Sequence, residues 1–178
     1  MDKESIYREI AAKAEAMAEK GDTAILQKVS ELLCRGLGFW WTGFYIVEDC
    51  AADWAPLDIG AAPDSVKEEE PDGTAACKGP WMMLGPSVGP PACERIRYGR
   101  GVCGTAWAED RTVIVPDVDL FPGHIACSSE SRSEIVVPVH IGGKVAGVLD
   151  VDSRDLANFD ERDAFWLEKI AATVSGRR

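Results

Sequence analysis

This chain has no long hydrophobic run and comparatively few basic residues. No apolar segment approaches the ~20 residues that a membrane-spanning helix needs, so we expect no membrane partner. The 19 Lys and Arg are outnumbered by 30 Asp and Glu, and the formal net charge is −11. This acidity argues against nucleic acid or an anionic membrane surface as the main partner. The beginning of the chain lacks the apolar core of a signal peptide, and we therefore expect a cytoplasmic protein.

The six cysteines include no closely spaced pair of the kind that zinc sites use. We therefore predict neither a metal nor a cofactor. In a reducing cytosol most of the cysteines are expected to be thiols, and any disulfide to be transient. Three of them, Cys93, Cys103 and Cys127, fall in one block beside carboxylates, which favours a nucleophilic thiol with resolving thiols nearby. The simpler alternative is that each is a small buried hydrophobic residue.

The order of the predicted elements indicates an α+β fold. Two N-terminal helices precede several strands and a C-terminal helix. This order predicts a central, mainly antiparallel sheet with the N- and C-terminal helices on one face. Residues 1–178 are expected to form a single domain with a substantial core. Residues 48–79, rich in proline and acidic side chains, are predicted to be a loop insertion. Asp22 and Asp160 are expected to cap the second and the last helix.

Seven short segments of this chain occur in an order that is specific as a set. They are WTGFY at 41–45, LGP at 84–86, ACERI at 92–96, GRGVCGTA at 99–106, GHIAC at 123–127, SEIV at 133–136 and GVLDVDS at 147–153. Together they resemble the free methionine-(R)-sulfoxide reductases, a family whose members are single GAF-type domains acting on the free amino acid. The loop insertion is the main departure from the family pattern.

The resemblance implies a redox role for three cysteines. Reduction of a sulfoxide needs a thiolate that attacks the sulfur and an acid that protonates the departing oxygen. The resulting sulfenic acid can condense with a second cysteine, and a dithiol reductant then reopens that disulfide. By resemblance, Cys127 is the nucleophile, Cys93 the principal resolving cysteine, and Cys103 a third cysteine able to form an alternative disulfide. A thioredoxin-like partner is the expected reductant.

Two aspartates near the end of a predicted strand are candidates for the acid. Asp150 and Asp152 are two residues apart, so both point to one face, while Leu149 and Val151 face the core. Two carboxylates this close repel, which should raise the pKa of one of them. A solvated strand end is the alternative interpretation. By resemblance, Glu134, Asp150 and Asp152 hold the amino group and the sulfoxide of the substrate.

The hairpin that carries these carboxylates presents a register problem. A two-residue turn at Gly142 and Gly143 would place Glu134 opposite Val151, on the wrong face of the sheet. A three-residue loop, or a bulge near Pro138, would correct this. Proline inside a strand often marks such a bulge, and we therefore predict one.

Two aromatic residues and one histidine complete the candidate site. By its family position Trp41 supplies an apolar wall for the substrate methyl group, and Tyr45 lies on the same strand face. Core packing is the alternative for both aromatic residues. His124 is expected to be a hydrogen-bonded structural residue rather than a proton carrier. Cys50 and Cys77 flank the insertion, and whether they take part in redox chemistry stays open.

The resemblance makes a reductase of free L-methionine (R)-sulfoxide the leading functional hypothesis, and it also implies a homodimer. Two alternatives are a small-molecule sensor, since GAF domains often bind ligands, and a redox-switched interaction module. Fold alone does not separate these functions. The three cysteines and the carboxylate trio favour the enzyme.

Overall fold

The computed structural model describes residues 2–60, 80–124 and 129–176. In these ranges the helices are α1 (Lys3–Glu19), α2 (Ile25–Leu37), α3 (Gly101–Glu109) and α4 (Glu161–Ser175). The strands are β1 (Trp41–Val47), β2 (Trp81–Val88), β3 (Arg95–Arg97), β4 (Val113–Val115), β5 (Ser133–Ile141) and β6 (Lys144–Ser153). Two short 3₁₀ helices span Glu48–Trp54 and Val118–Leu120. No helix in the described ranges is both long and apolar enough to span a bilayer.

The six strands form one antiparallel sheet in the order β3-β2-β1-β6-β5-β4. Helices α1, α2 and α4 pack together on one face, where the Cys34 thiol of α2 lies 3.4 Å from the Thr42 hydroxyl of β1. Helix α3 covers the opposite face and brings Cys103 beside Asp150. The predicted α+β fold, with its N- and C-terminal helices on one face of the sheet, is confirmed.

The two predicted helix caps differ in outcome. Asp160 forms a capping box with Asp163 at the start of α4, as its position in the sequence predicts. The prediction for Asp22 is wrong, because its carboxylate accepts a hydrogen bond from the backbone N–H of Ala24 at 3.0 Å. Helix α2 therefore begins after Ala24 without a side-chain cap.

The predicted bulge is present in the β5–β6 hairpin. The pairing shifts between Val139 and His140, which leaves Ala146 of β6 without a partner on β5. Beyond this shift, Glu134 lies directly opposite Asp152. The bulge therefore brings Glu134 to the face that carries Asp150 and Asp152, and it does so next to the proline that indicated it.

Residues 48–60 differ from the loop that their composition predicts. The 3₁₀ helix Glu48–Trp54 follows β1 directly and buries Cys50 and Trp54. The Trp54 indole is fully buried and donates a hydrogen bond to the Ala146 carbonyl at 3.1 Å. A side chain at Gly147 would collide with this ring. The first part of the segment is thus integral to the core, while residues 61–79 lie outside the described residues.

This packing predicts different effects on stability for changes in the two parts of the predicted insertion, residues 48–60 and residues 61–79. We expect Trp54→Ala to lower the free energy of unfolding by about 3–5 kcal/mol, the usual cost of truncating a buried aromatic residue. Replacing residues 61–79 with a short Gly/Ser turn should change it by less than about 1 kcal/mol, because loop length affects closure entropy only weakly. Urea denaturation measures both. A Trp54→Ala variant as stable as wild type would contradict the core role of the indole.

Candidate active site

A pocket opens between the sheet and α3, on the face opposite the three other helices. Strands β1, β5 and β6 form its floor, and the start of α3 with residues 90–92 forms its walls. The residues that line it are Trp40, Trp41, Tyr45, Pro90, Pro91, Ala92, Ile96, Arg100, Gly101, Val102, Cys103, His124, Ser131, Glu134, Asp150 and Asp152. Every candidate site residue that the structure describes, except Cys93, is therefore in this lining.

Trp41 provides the apolar side of the pocket. Its indole N–H donates to the Pro90 carbonyl at 3.2 Å, and its ring stacks on Tyr45 with a centroid distance of 6.1 Å. A Cβ atom at Gly43 or at Gly89 would come within 2.5 Å of the indole ring. Only glycine at these two positions leaves room for the indole ring. The backbone at Gly43 and Gly89 therefore holds Trp41 in a fixed orientation. Period-two spacing placed Trp41 and Tyr45 on one face, and this is confirmed.

Tyr45 links the floor of the pocket to the backbone of Cys93. Its phenol donates a hydrogen bond to the Cys93 carbonyl at 2.9 Å, so this buried ring also fixes the backbone that carries Cys93. Cys93 is disulfide-bonded, whereas Cys34, Cys50 and Cys103 are free thiols. Cys77 lies outside the described residues, and so does Cys127, which is the predicted nucleophile.

Glu134, Asp150 and Asp152 converge at the base of the pocket. Glu134 and Asp150 are each only 6% exposed, and a carboxylate oxygen of each lies within 4.8 Å of the Cys103 sulfur and of the other. The Asp152 carboxylate accepts a hydrogen bond from the Ser131 hydroxyl. Leu149 and Val151, between and beside the aspartates, are fully buried on the other face, as the alternation predicts.

Burial raises the pKa of all three carboxyl groups. For Glu134 and Asp150 desolvation is the largest cause, and the negative charge of a neighbouring carboxylate adds to it. Desolvation also raises the pKa of Asp152 to about 6, although the hydrogen bond from Ser131 opposes the shift. Burial and the charge of Asp150 raise the pKa of the Cys103 thiol well above its usual value. The pocket therefore favours the protonated form of these carboxyl groups more strongly than water does.

Comparison with known proteins shows which family combines this fold with this site. Residues 23–177 match the GAF domain family. The chain is 33% identical to the free methionine-R-sulfoxide reductase of Escherichia coli, over 98% of this chain and 89% of that protein. It is 40% identical to the X-ray structure of free methionine-R-sulfoxide reductase from Neisseria meningitidis in complex with its substrate, with a TM-score of 0.78 and coverage of 99% and 90% of the two chains. The chain belongs to this family of GAF-domain reductases.

Another relative carries only the name of the fold. GAF domain-containing protein A of Dictyostelium discoideum is 42% identical, over 94% of this chain and 89% of that protein. The free methionine-R-sulfoxide reductase family accounts for both the fold and the ordered motifs of this chain.

His124 lies beside the carboxylate of Glu134. Its Nε2 atom is 3.7 Å from a carboxylate oxygen of Glu134, and burial lowers the pKa of its imidazole. A neutral imidazole at this distance is consistent with the predicted structural role, although that prediction stays untested.

Sequence reasoning missed two residues of this reductase-family pocket. Ser131 precedes β5 and contacts Asp152, but a single serine in a loop carries no recognisable signal. Arg100 lies in the GRGVCGTA segment, to which the sequence analysis assigns no arginine role, and it lines the pocket at the N-terminal end of α3. An arginine between two glycines of a family motif was the available signal.

The carboxyl group of Asp152 predicts a pH dependence of stability. Its folded-state pKa of about 6 exceeds its ordinary value of 3.8. Between these values the folded protein binds more protons than the unfolded chain, so the free energy of unfolding falls as the pH rises through this window. We expect Asp152→Asn to reduce this fall, as measured by urea unfolding across the window. Asp155→Asn, which changes an exposed carboxylate, is the control, and a profile of Asp152→Asn parallel to wild type would contradict the assignment.

Proposed function

We propose that this protein is a thiol-dependent reductase that converts free L-methionine (R)-sulfoxide to L-methionine. The observation that carries the proposal is that two buried carboxyl groups, Glu134 and Asp150, and the half-buried Asp152 share one pocket with the Trp41 indole. A free amino acid sulfoxide offers a cationic amino group, a polar S–O group and an apolar methyl group, and this pocket offers a complement to each. The family membership of the chain supports the same conclusion.

The proposed reaction uses Cys127, Cys93 and one carboxyl group of the pocket. The Cys127 thiolate attacks the sulfoxide sulfur while the carboxyl group protonates the oxygen, and this yields methionine and a sulfenic acid on Cys127. The Cys93 thiol then displaces water from the sulfenic acid and forms a disulfide. A thioredoxin-like dithiol reduces this disulfide by exchange and becomes oxidised in turn.

Two structural facts support these cysteine roles. Cys93 is disulfide-bonded although it lies beside the pocket rather than in it, which suits a resolving residue. Cys103 is a free, buried thiol in the pocket lining, and the raised pKa of that thiol makes it a poor nucleophile at rest. We therefore assign Cys103 the secondary role of an alternative resolving cysteine.

The carboxyl groups have two proposed roles that their electrostatics support. None of the three side chains forms an ion pair with a Lys or Arg of the described residues. The substrate ammonium would therefore supply the missing positive charge. Desolvation favours the protonated form of all three groups, and it raises the pKa of Asp152 to about 6. A retained proton can be delivered to the sulfoxide oxygen.

Arg100 is the proposed partner of the substrate carboxylate. It lines the pocket and immediately precedes α3, whose first backbone N–H groups also favour an anion. Its side chain forms no ion pair within the described part of the chain. Together with the carboxylate trio, a guanidinium at the rim gives the pocket opposite charges for the two termini of a free amino acid.

We expect Arg100→Gln to raise the KM for free methionine sulfoxide about 10- to 100-fold, the loss of about 1.5–3 kcal/mol for a charged hydrogen bond. Steady-state kinetics on the sulfoxide and on its carboxamide form test this. Wild type should prefer the acid, and the variant should lose that preference. Arg111→Gln, just beyond the far end of α3, should keep it. An unchanged acid preference in Arg100→Gln would refute the assignment.

The decisive test is turnover of free methionine (R)-sulfoxide with a dithiol reductant. The expected result is stereospecific formation of methionine coupled to oxidation of the dithiol. Ligand binding without turnover would favour a sensor instead, and a redox-dependent change of shape without turnover would favour an interaction module. We further propose that residues 1–178 act as one domain and as a homodimer, which light scattering during size-exclusion chromatography would check.

A further inference from the structure

Three potential ligand atoms for a metal ion lie together in the pocket. The Cys103 sulfur, one carboxylate oxygen of Glu134 and one of Asp150 are all within 4.8 Å of one another, and all three residues are buried. They come from α3, β5 and β6, three packed elements that hold the side chains in place. Sequence spacing gave no indication of this cluster, because its members are distant along the chain.

One of these atoms lacks a hydrogen-bond partner among the described residues. The Oδ1 atom of Asp150 is buried and accepts no hydrogen bond within the described residues, and the side chain is aimed into the pocket. A buried polar atom without a partner is costly, and a cation would relieve that cost. Asp152 adds a further carboxylate to the same wall of the pocket.

We propose that Cys103, Glu134 and Asp150 form a binding site for a thiophilic divalent cation of the zinc class. Zinc takes thiolate sulfur at about 2.3 Å and carboxylate oxygen at about 2.0–2.2 Å, which requires the ligand atoms to move together by about an ångström. The sulfur ligand selects zinc over magnesium and calcium, which prefer oxygen alone. Three protein ligands leave a fourth position for water, open to the pocket.

This site does not depend on the proposed reductase activity, and it has a consequence for it. Cys103 is a free thiol while Cys93 is disulfide-bonded, so the ligands are available in that redox form. The ion would occupy the place proposed for the substrate ammonium group. Ion and amino acid should therefore exclude each other.

Cobalt(II) is the probe that tests the site, because a cobalt–thiolate bond gives a charge-transfer band in the near ultraviolet. The full-length protein should bind one Co²⁺ with this band, and Zn²⁺ should displace it. Cys103→Ser should lose the band and bind Co²⁺ at least about tenfold more weakly. Cys34→Ser is the matched control, since this thiol contacts Thr42 on the other face of the sheet, and it should keep both band and affinity.

Two results would overturn the proposal. One is the absence of a cobalt–thiolate band in wild type, and the other is an unchanged band in a folded Cys103→Ser variant. If Cys103→Ser does not fold, Asp150→Asn replaces it, and binding no weaker than wild type then has the same meaning. L-Methionine should weaken Co²⁺ binding. Undiminished binding at a methionine concentration that occupies the pocket would refute the mutual exclusion alone.

Discussion

Replacing Cys127 with serine is expected to abolish methionine sulfoxide reduction. No other group in the proposed scheme delivers the attacking sulfur, and a serine hydroxyl is not ionised at neutral pH. The loss should be on the order of 10³-fold or more, as for other enzymes that lose their nucleophile. Single-turnover reduction of the free (R)-sulfoxide, followed by chromatographic detection of methionine, gives the measurement.

Variants of two other cysteines test whether the loss of activity is specific to Cys127. Cys34→Ser removes a thiol on the opposite face of the sheet and should retain full activity. Cys93→Ser should give one rapid turnover and then a slow phase with a thioredoxin-like reductant, with partial recycling through Cys103. Activity of Cys127→Ser near wild type would refute the mechanism, and so would an unimpaired steady state in Cys93→Ser.

Isosteric substitution of the pocket carboxyl groups is expected to lower reductase activity strongly. We expect Glu134→Gln, Asp150→Asn and Asp152→Asn each to lower kcat/KM for the free sulfoxide by an amount equivalent to about 2–5 kcal/mol, because each leaves the substrate cation less compensated. The same changes should not destabilise the protein at neutral pH. They remove groups whose raised pKa values make ionisation in the folded state unfavourable.

The comparison that isolates the amino-group role uses N-acetyl methionine sulfoxide. This compound has no cationic amino group, so wild type should reduce it poorly, and the three variants should lose little further activity on it. Thermal unfolding run in parallel shows that the variants are folded. Equal wild-type rates on the free and the acetylated compound would leave the carboxyl groups only the proton-donor role.

Sequence reasoning predicted the parts of the fold and site that depend on local periodicity. Alternation placed Asp150 and Asp152 on one face, and Trp41 and Tyr45 on the same side. The register argument even located the bulge, because a two-residue turn and an inward-facing Glu134 cannot coexist in a regular hairpin. These inferences needed only the period of a strand and the geometry of a turn.

The features that sequence reasoning missed depend on contacts between distant segments. Trp54 lies in a segment whose prolines and charges indicate a loop, yet its indole fits over Gly147 and bonds to Ala146. The Asp22 carboxylate satisfies a nearer backbone N–H and so does not cap α2. Arg100 and the Cys103 cluster become visible only when α3 lies on the sheet. Composition and spacing describe none of these juxtapositions.

Because Ala146 has no partner on β5, the pocket depends on how many residues each strand of the hairpin has between the turn and the site. From turn to site, β6 uses one residue more than β5, and the excess is absorbed at Ala146. Loss of Ala146 would therefore give β5 and β6 the same number of residues between the turn and the site, and Glu134 would stay opposite Asp152. Loss of one residue from β5 between Glu134 and Val139 would instead turn the Glu134 carboxylate towards the helices. The register of the pocket therefore tolerates the loss of one residue from β6 on the turn side of the site, but not the loss of one residue from β5, although in both cases every residue of the pocket is unchanged.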